Sequence, residues 1–151
     1  MRIAHLYISP GHNYFGHQGQ PPGEHEAIEV RRIHCLEARG IEGDRFLDYK
    51  DDYKGQVTFF ALEVYEELCA QFSVQDKSPG IFRRNIITQG VDLNTLIDEE
   101  FEVQGLRFFG TVECSPCYWM DQAFYPGAED ALKNRGGLRA KILTSGWLRC
   151  E

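Results

Sequence analysis

The hydrophobic pattern of this chain changes period several times, and each change marks an element. Residues 2–8 alternate loosely between apolar and polar and predict a first strand, broken at Ser9-Pro10-Gly11. Residues 9–26 are rich in Gly, Pro, His, Asn and Gln; they predict a long loop, of a length that is often functional, carrying His12, His17 and His25. Residues 27–35 read as one extended strand, with Ile28 and Val30 on one face and Glu29, Arg31 and Ile33 on the other. A turn at Gly40-Ile41-Glu42-Gly43-Asp44 and a charged segment at 48–55 follow, and then Gln56-Val57-Thr58-Phe59-Phe60 has the content of a buried strand.

The clearest helix is predicted over 61–72, where Leu62, Tyr65, Cys69 and Phe72 recur at helical spacing opposite Glu63, Glu66 and Glu67, which places Cys69 in the core. Short strands are then predicted at 85–88, 100–104, 106–109 after a turn at Gly105, and 111–114 after Gly110. A second helix is expected over 128–134, capped by Gly136, before closing strands at 138–144 and 147–150. Many short strands with one strong helix predict a mainly β fold, a closed or strongly curved β-barrel with a few flanking helices.

Composition narrows the class. With 151 residues and 42% hydrophobic content, one domain spanning residues 1–151 is expected. The net charge of −7 argues against a broad nucleic-acid or anionic-membrane footprint, while leaving 16 Lys and Arg for a local anion pocket. The apolar start is too short for a signal-peptide core, no run reaches a membrane span, and five irregularly spaced cysteines suit a reducing compartment. A cytoplasmic protein is expected.

The sharpest chemical signal is Cys114-Ser115-Pro116-Cys117. Its spacing matches a thioredoxin-like dithiol, in which one thiolate attacks and the other resolves, although the usual βαβ neighbourhood is missing. Zinc needs two further ligands, and loop histidines such as His12, His17 and His25 more often serve as surface hydrogen-bonding groups. A third reading is a lone reactive thiolate at Cys117, beside a turn and after Pro116, that ligates a soft metal or carries sulfur as a persulfide. A buried, inert cysteine is the alternative to all three.

The ordered set Gly40-Ile41-Glu42-Gly43-Asp44-Arg45, Gln56-Val57-Thr58, Phe82-Arg83-Arg84-Asn85-Ile86, Gly90-Val91-Asp92-Leu93, Pro116-Cys117 and Arg135-Gly136-Gly137-Leu138-Arg139-Ala140 resembles the MOSC family, named for the C-terminal domain of molybdenum cofactor sulfurases. The resemblance runs from Ile28 onward and is closest to single-domain, stand-alone members. It implies a closed β-barrel and a molybdenum-pterin cofactor, in chemistry independent of pyridoxal phosphate. Cys117 matches the key cysteine, as catalytic residue and molybdenum ligand or sulfur carrier, and Cys114 has no role in the pattern. Family members often close with a Gly-Asp pair, where this chain reads Arg149-Cys150-Glu151, so the resemblance implies an altered binding edge there.

A pterin phosphate needs guanidinium or N–H donors. Arg84, Arg135 and Arg139 lie in matching motifs and either supply such donors, with Arg135 the preferred phosphate contact and backbone amides at Gly136 and Gly137 assisting, or make surface or structural ion pairs. Asn85 is expected to orient a polar ligand group. Asp44 is expected to position an arginine or cap a turn, and Gly43, Gly136 and Gly137 to serve special backbone conformations. Trp119, Phe124 and Tyr125 wall a pocket or belong to the core. The leading expectation is a cofactor-binding or sulfur-carrier module within a molybdenum-dependent oxidoreductase or sulfur-transfer system, working with a partner redox or sulfur-donor protein. The alternatives are a Cys114/Cys117 thiol–disulfide oxidoreductase and a non-catalytic barrel binding a small ligand or a protein.

Overall fold

A computed structural model describes residues 1–11 and 27–151. The loop expected over 9–26, with its three histidines, lies from residue 12 to residue 26 outside the described residues. Ten strands are described: β1 (Arg2–Ile8), β2 (Ile28–Val30), β3 (Arg32–Leu36), β4 (Gly40–Ile41), β5 (Val57–Ala61), β6 (Ile86–Gln89), β7 (Glu100–Val103), β8 (Leu106–Glu113), β9 (Leu138–Ile142) and β10 (Gly146–Arg149). Three helices accompany them: α1 (Leu62–Phe72), α2 (Trp119–Ala123) and α3 (Ala128–Ala131). None is long and apolar enough to cross a membrane.

The expected barrel is not formed. Seven strands make one mixed sheet, ordered β2-β1-β6-β5-β9-β8-β7, and β10-β3-β4 make a separate small sheet. Among the described residues no ladder joins the outer strands β2 and β7, so neither sheet closes. The physical reason lies in residues 27–35, which do not form one strand. The chain breaks at Arg31, so that β2 pairs with β1 while β3 pairs with β10. Ile28, expected to share a face with Val30, is 49% exposed on this edge strand. Ile33, Cys35, Ile41 and Leu148 of the small sheet instead share a core with Ile3, Phe59, Phe108 and Leu138 of the large one. Two packed sheets thus bury the apolar surface that a closed barrel would have enclosed.

Strand β5 is buried along Val57–Phe60 because both faces are covered. Phe59 enters the inter-sheet core, and Phe60 packs with Phe82, Phe124 and Leu68 under the helices. Helix α1 provides the crossover that the parallel pairing of β5 with β6 demands. Cys69 on it is half-buried at the margin of the second cluster.

Two further boundaries differ from the sequence pattern. Gly110 is no turn, since β8 runs through it. A Cβ there would stand 1.9 Å from the Leu96 carbonyl oxygen, so the glycine admits a neighbouring backbone. The helix expected over 128–134 shortens to α3, and α2, which the apolar pattern did not reveal, precedes it.

Candidate functional site

A cavity of about 240 Å³ opens where the exit of β8, the segment after Pro79–Phe82, β9 and the 45–55 loop converge. Cys114 and Cys117 both line it, together with Arg45, Arg83, Arg84 and Arg139. No carboxylate lines it among the described residues, although the chain carries a net charge of −7. Four guanidiniums in one concavity concentrate positive charge there and make it a candidate anion site.

The four arginines do different work. Arg84, buried, spends its fork on backbone: Nε donates to the Gly136 carbonyl (3.0 Å), Nη1 to Phe82 (2.9 Å) and Nη2 to Cys114 (3.3 Å). Arg83, its neighbour, adopts the left-handed region (φ 60°) and donates to the Gly11 carbonyl at 2.6 Å. Burial, and next the charge of Arg45, push Arg83 down to about 10, and Asp44 offsets part of this. Arg45 is also lowered, first by burial, with Asp44 opposing and Arg84 adding to the shift. Its Nη1 is buried with no hydrogen-bond partner among the described residues. Arg139, half-buried on β9, has no hydrogen bond or ion pair from its side chain to any described residue.

The thiols differ in access. Cys114 is 5% exposed and its backbone is clamped by Gly137 (N–H to carbonyl, 2.8 Å) and Arg84, whereas Cys117 is half-buried on the approach to α2. Trp119, 8% exposed, lines the same cavity, and its Nε1–H is a second buried donor lacking an acceptor among the described residues. All five cysteines are free.

Not every sequence-derived candidate reaches this cavity. Arg135 pairs with Glu67, donates to Ala131, and lines a different cavity beside Glu63 and Asp92. Gly137 lines that second cavity too. The Gly136 N–H donates to Glu113 (3.2 Å), so this amide is already taken by a carboxylate. A Cβ at Gly136 would meet the Cys114 oxygen at 2.2 Å, and one at Gly137 (φ 111°) the Phe59 oxygen at 2.3 Å, so both are required for close backbone approach. Asn85 is buried and committed: its Oδ1 accepts from the Thr58 N–H and hydroxyl, and its Nδ2 donates to the Tyr7 carbonyl and Asp44. Asp44 accepts from the Ser9 and Phe46 N–H groups, holding the chain beside Arg45. Phe124 is core, and Tyr125 is exposed and stacks on Phe72.

Arg45 and Arg83 were not singled out by sequence reasoning. The available signal was the doubled arginine of Phe82-Arg83-Arg84-Asn85, because two adjacent guanidiniums cannot both serve one backbone fork.

Among the described residues no three His, Cys, Asp or Glu side chains assemble to hold a metal ion. Comparison with known proteins gives a match of the MOSC domain family to residues 32–150. Among solved structures, the chain is similar to the YUAD protein from Bacillus subtilis (15% identity, TM-score 0.77, covering 98% of this chain and 90% of that one). It is also similar to YiiM from Escherichia coli (19%, 0.63, 95% and 65%) and YiiM from Geobacillus stearothermophilus (11%, 0.70, 98% and 70%). No curated protein matches it.

Proposed function

Because the chain belongs to the MOSC family, we propose that the arginine-lined cavity binds a molybdenum-pterin cofactor through its phosphate, with Cys117 as the sulfur ligand to the metal. The observation that carries this reading is the convergence of Cys117 with Arg45, Arg83 and Arg139 in one cavity that no carboxylate lines among the described residues. The donor set fits the group: a half-buried thiol suits a soft metal, guanidiniums suit a phosphate, and the buried Arg45 Nη1 and Trp119 Nε1 donors lack acceptors among the described residues. When bound, the cofactor supplies a redox-active metal. Arg84 serves by position, fixing the Cys114–Cys117 segment through the Cys114 carbonyl. Arg83 and Arg139 bind the anion, and Arg45, backed by Asp44, neutralises it from within. A partner redox protein completes the system or, in the sulfur-carrier form, a persulfide-bearing donor protein that passes its outer sulfur to the Cys117 thiolate and leaves as a thiolate.

The test is pterin analysis of protein purified from a molybdenum-competent host. Wild type should carry pterin phosphate, and an Arg83→Gln, Arg139→Gln double variant should carry far less. Wild-type protein free of pterin, or equal loading in the variant, contradicts the reading.

A further inference from the structure

The loop between β4 and β5 carries three mutually packed aromatic rings, two of which line the arginine cavity. Phe46 and Tyr53 line it directly. Tyr53 packs on Phe46 (centroids 5.5 Å apart) and on Tyr49 (4.8 Å), and Phe46 meets Tyr49 edge-on at 5.4 Å. This loop is charged overall, and its placement is fixed from several sides. Arg39 grips Asp48 through two bonds (2.9 and 2.7 Å), Lys141 of β9 pairs with Asp52 (2.7 Å), and the Thr111 hydroxyl of β8 donates to the Lys54 carbonyl (2.6 Å). A rigid aromatic surface beside a charged cavity is preorganised for binding.

Tyr53 sits where ring and charge meet. A Cβ at Gly55 would lie 3.2 Å from its ring and 3.3 Å from Cδ of Arg139, so Gly55 keeps open the corner between the phenol ring and the guanidinium arm. We propose that Tyr53, backed by Phe46 and Tyr49, is the stacking seat for a flat heteroaromatic ring whose own anionic group is held by Arg83 and Arg139. The inference rests on the anion-site reading above and adds which ligands that site prefers. Ligands carrying both a phosphate and a planar ring gain from Tyr53, and ring-free phosphates do not.

Calorimetric titration of the full chain with guanosine 5′-monophosphate and with ribose 5-phosphate separates ring from anion. The ring-bearing probe is expected to bind about tenfold more tightly, in the range of base–aromatic stacking. Tyr53→Ala should erase that difference while leaving ribose 5-phosphate affinity unchanged, and Tyr53→Phe should retain it. Equal affinities in wild type, with both probes lost in the Arg83→Gln, Arg139→Gln variant, would overturn the aromatic seat and leave the anion site standing. If neither phosphate binds wild type, both ideas fall. Equal loss of both probes in Tyr53→Ala, or loss of the ring preference in Tyr53→Phe, would also overturn the stacking role.

Discussion

The Nε–H of Arg84 donates to the Gly136 carbonyl at 3.0 Å, and the rest of the same guanidinium holds the carbonyls of Phe82 and Cys114. One side chain thereby joins the segment before β6, the exit of β8 and the entry to β9, three of the segments gathered around the cavity.

A lysine cannot reproduce that planar fork, and its shorter reach leaves buried carbonyls unpaired. Arg84→Lys is therefore expected to destabilise the fold by about 2–4 kcal/mol. The drop is read in chemical denaturation, and a change within about 0.5 kcal/mol, the range of surface substitutions, would show that the fork is dispensable.

Arg83 occupies the left-handed region (φ 60°), which disfavours residues with a Cβ. Arg83→Gly should thus be more stable than Arg83→Ala by about 1 kcal/mol, although both lose the side chain. Both should also weaken phosphate binding. An alanine variant as stable as the glycine one, measured by the same denaturation, would remove the strain argument.

Burial pushes the Cys35 thiol from its ordinary 9.0 up to about 12. The folded state therefore holds this proton more tightly than the unfolded chain. The resulting stability is fully present below about pH 9 and is lost as pH rises from there through about 12. A thiol probe at pH 8 should label Cys117 in native protein while Cys35 and the 5% exposed Cys114 stay unlabelled. Peptide mapping after labelling checks this, and prompt labelling of Cys35 would contradict its burial.

Much of the strand content could be read along the chain because alternation and turn residues are local. β1 matches the expected 2–8 residue for residue, and β5 and α1 differ from expectation only at their ends. What was not legible depends on pairing partners. Nothing in residues 27–35 announces that Arg31 separates two sheets, and that separation is why the expected barrel gives way to two packed sheets. The site follows the same rule. The cysteine pair and Arg139 line one cavity, whereas Arg135 pairs with Glu67, and Asn85 and Gly136 are engaged in internal bonds. Sequence motifs mark positions under backbone constraint as readily as ligand contacts, and only the fold separates them.

In the proposed site Cys117, and not Cys114, would be the thiol that ligates molybdenum, since Cys117 is half-buried at the cavity whereas Cys114 is 5% exposed. Molybdenum content per chain, measured after purification from a molybdenum-competent host, tests it in Cys117→Ala and Cys114→Ala beside wild type. Cys117→Ala is expected to be depleted and Cys114→Ala to match wild type. Equal molybdenum in the two variants, or none in wild type, would rule out Cys117 as the ligand.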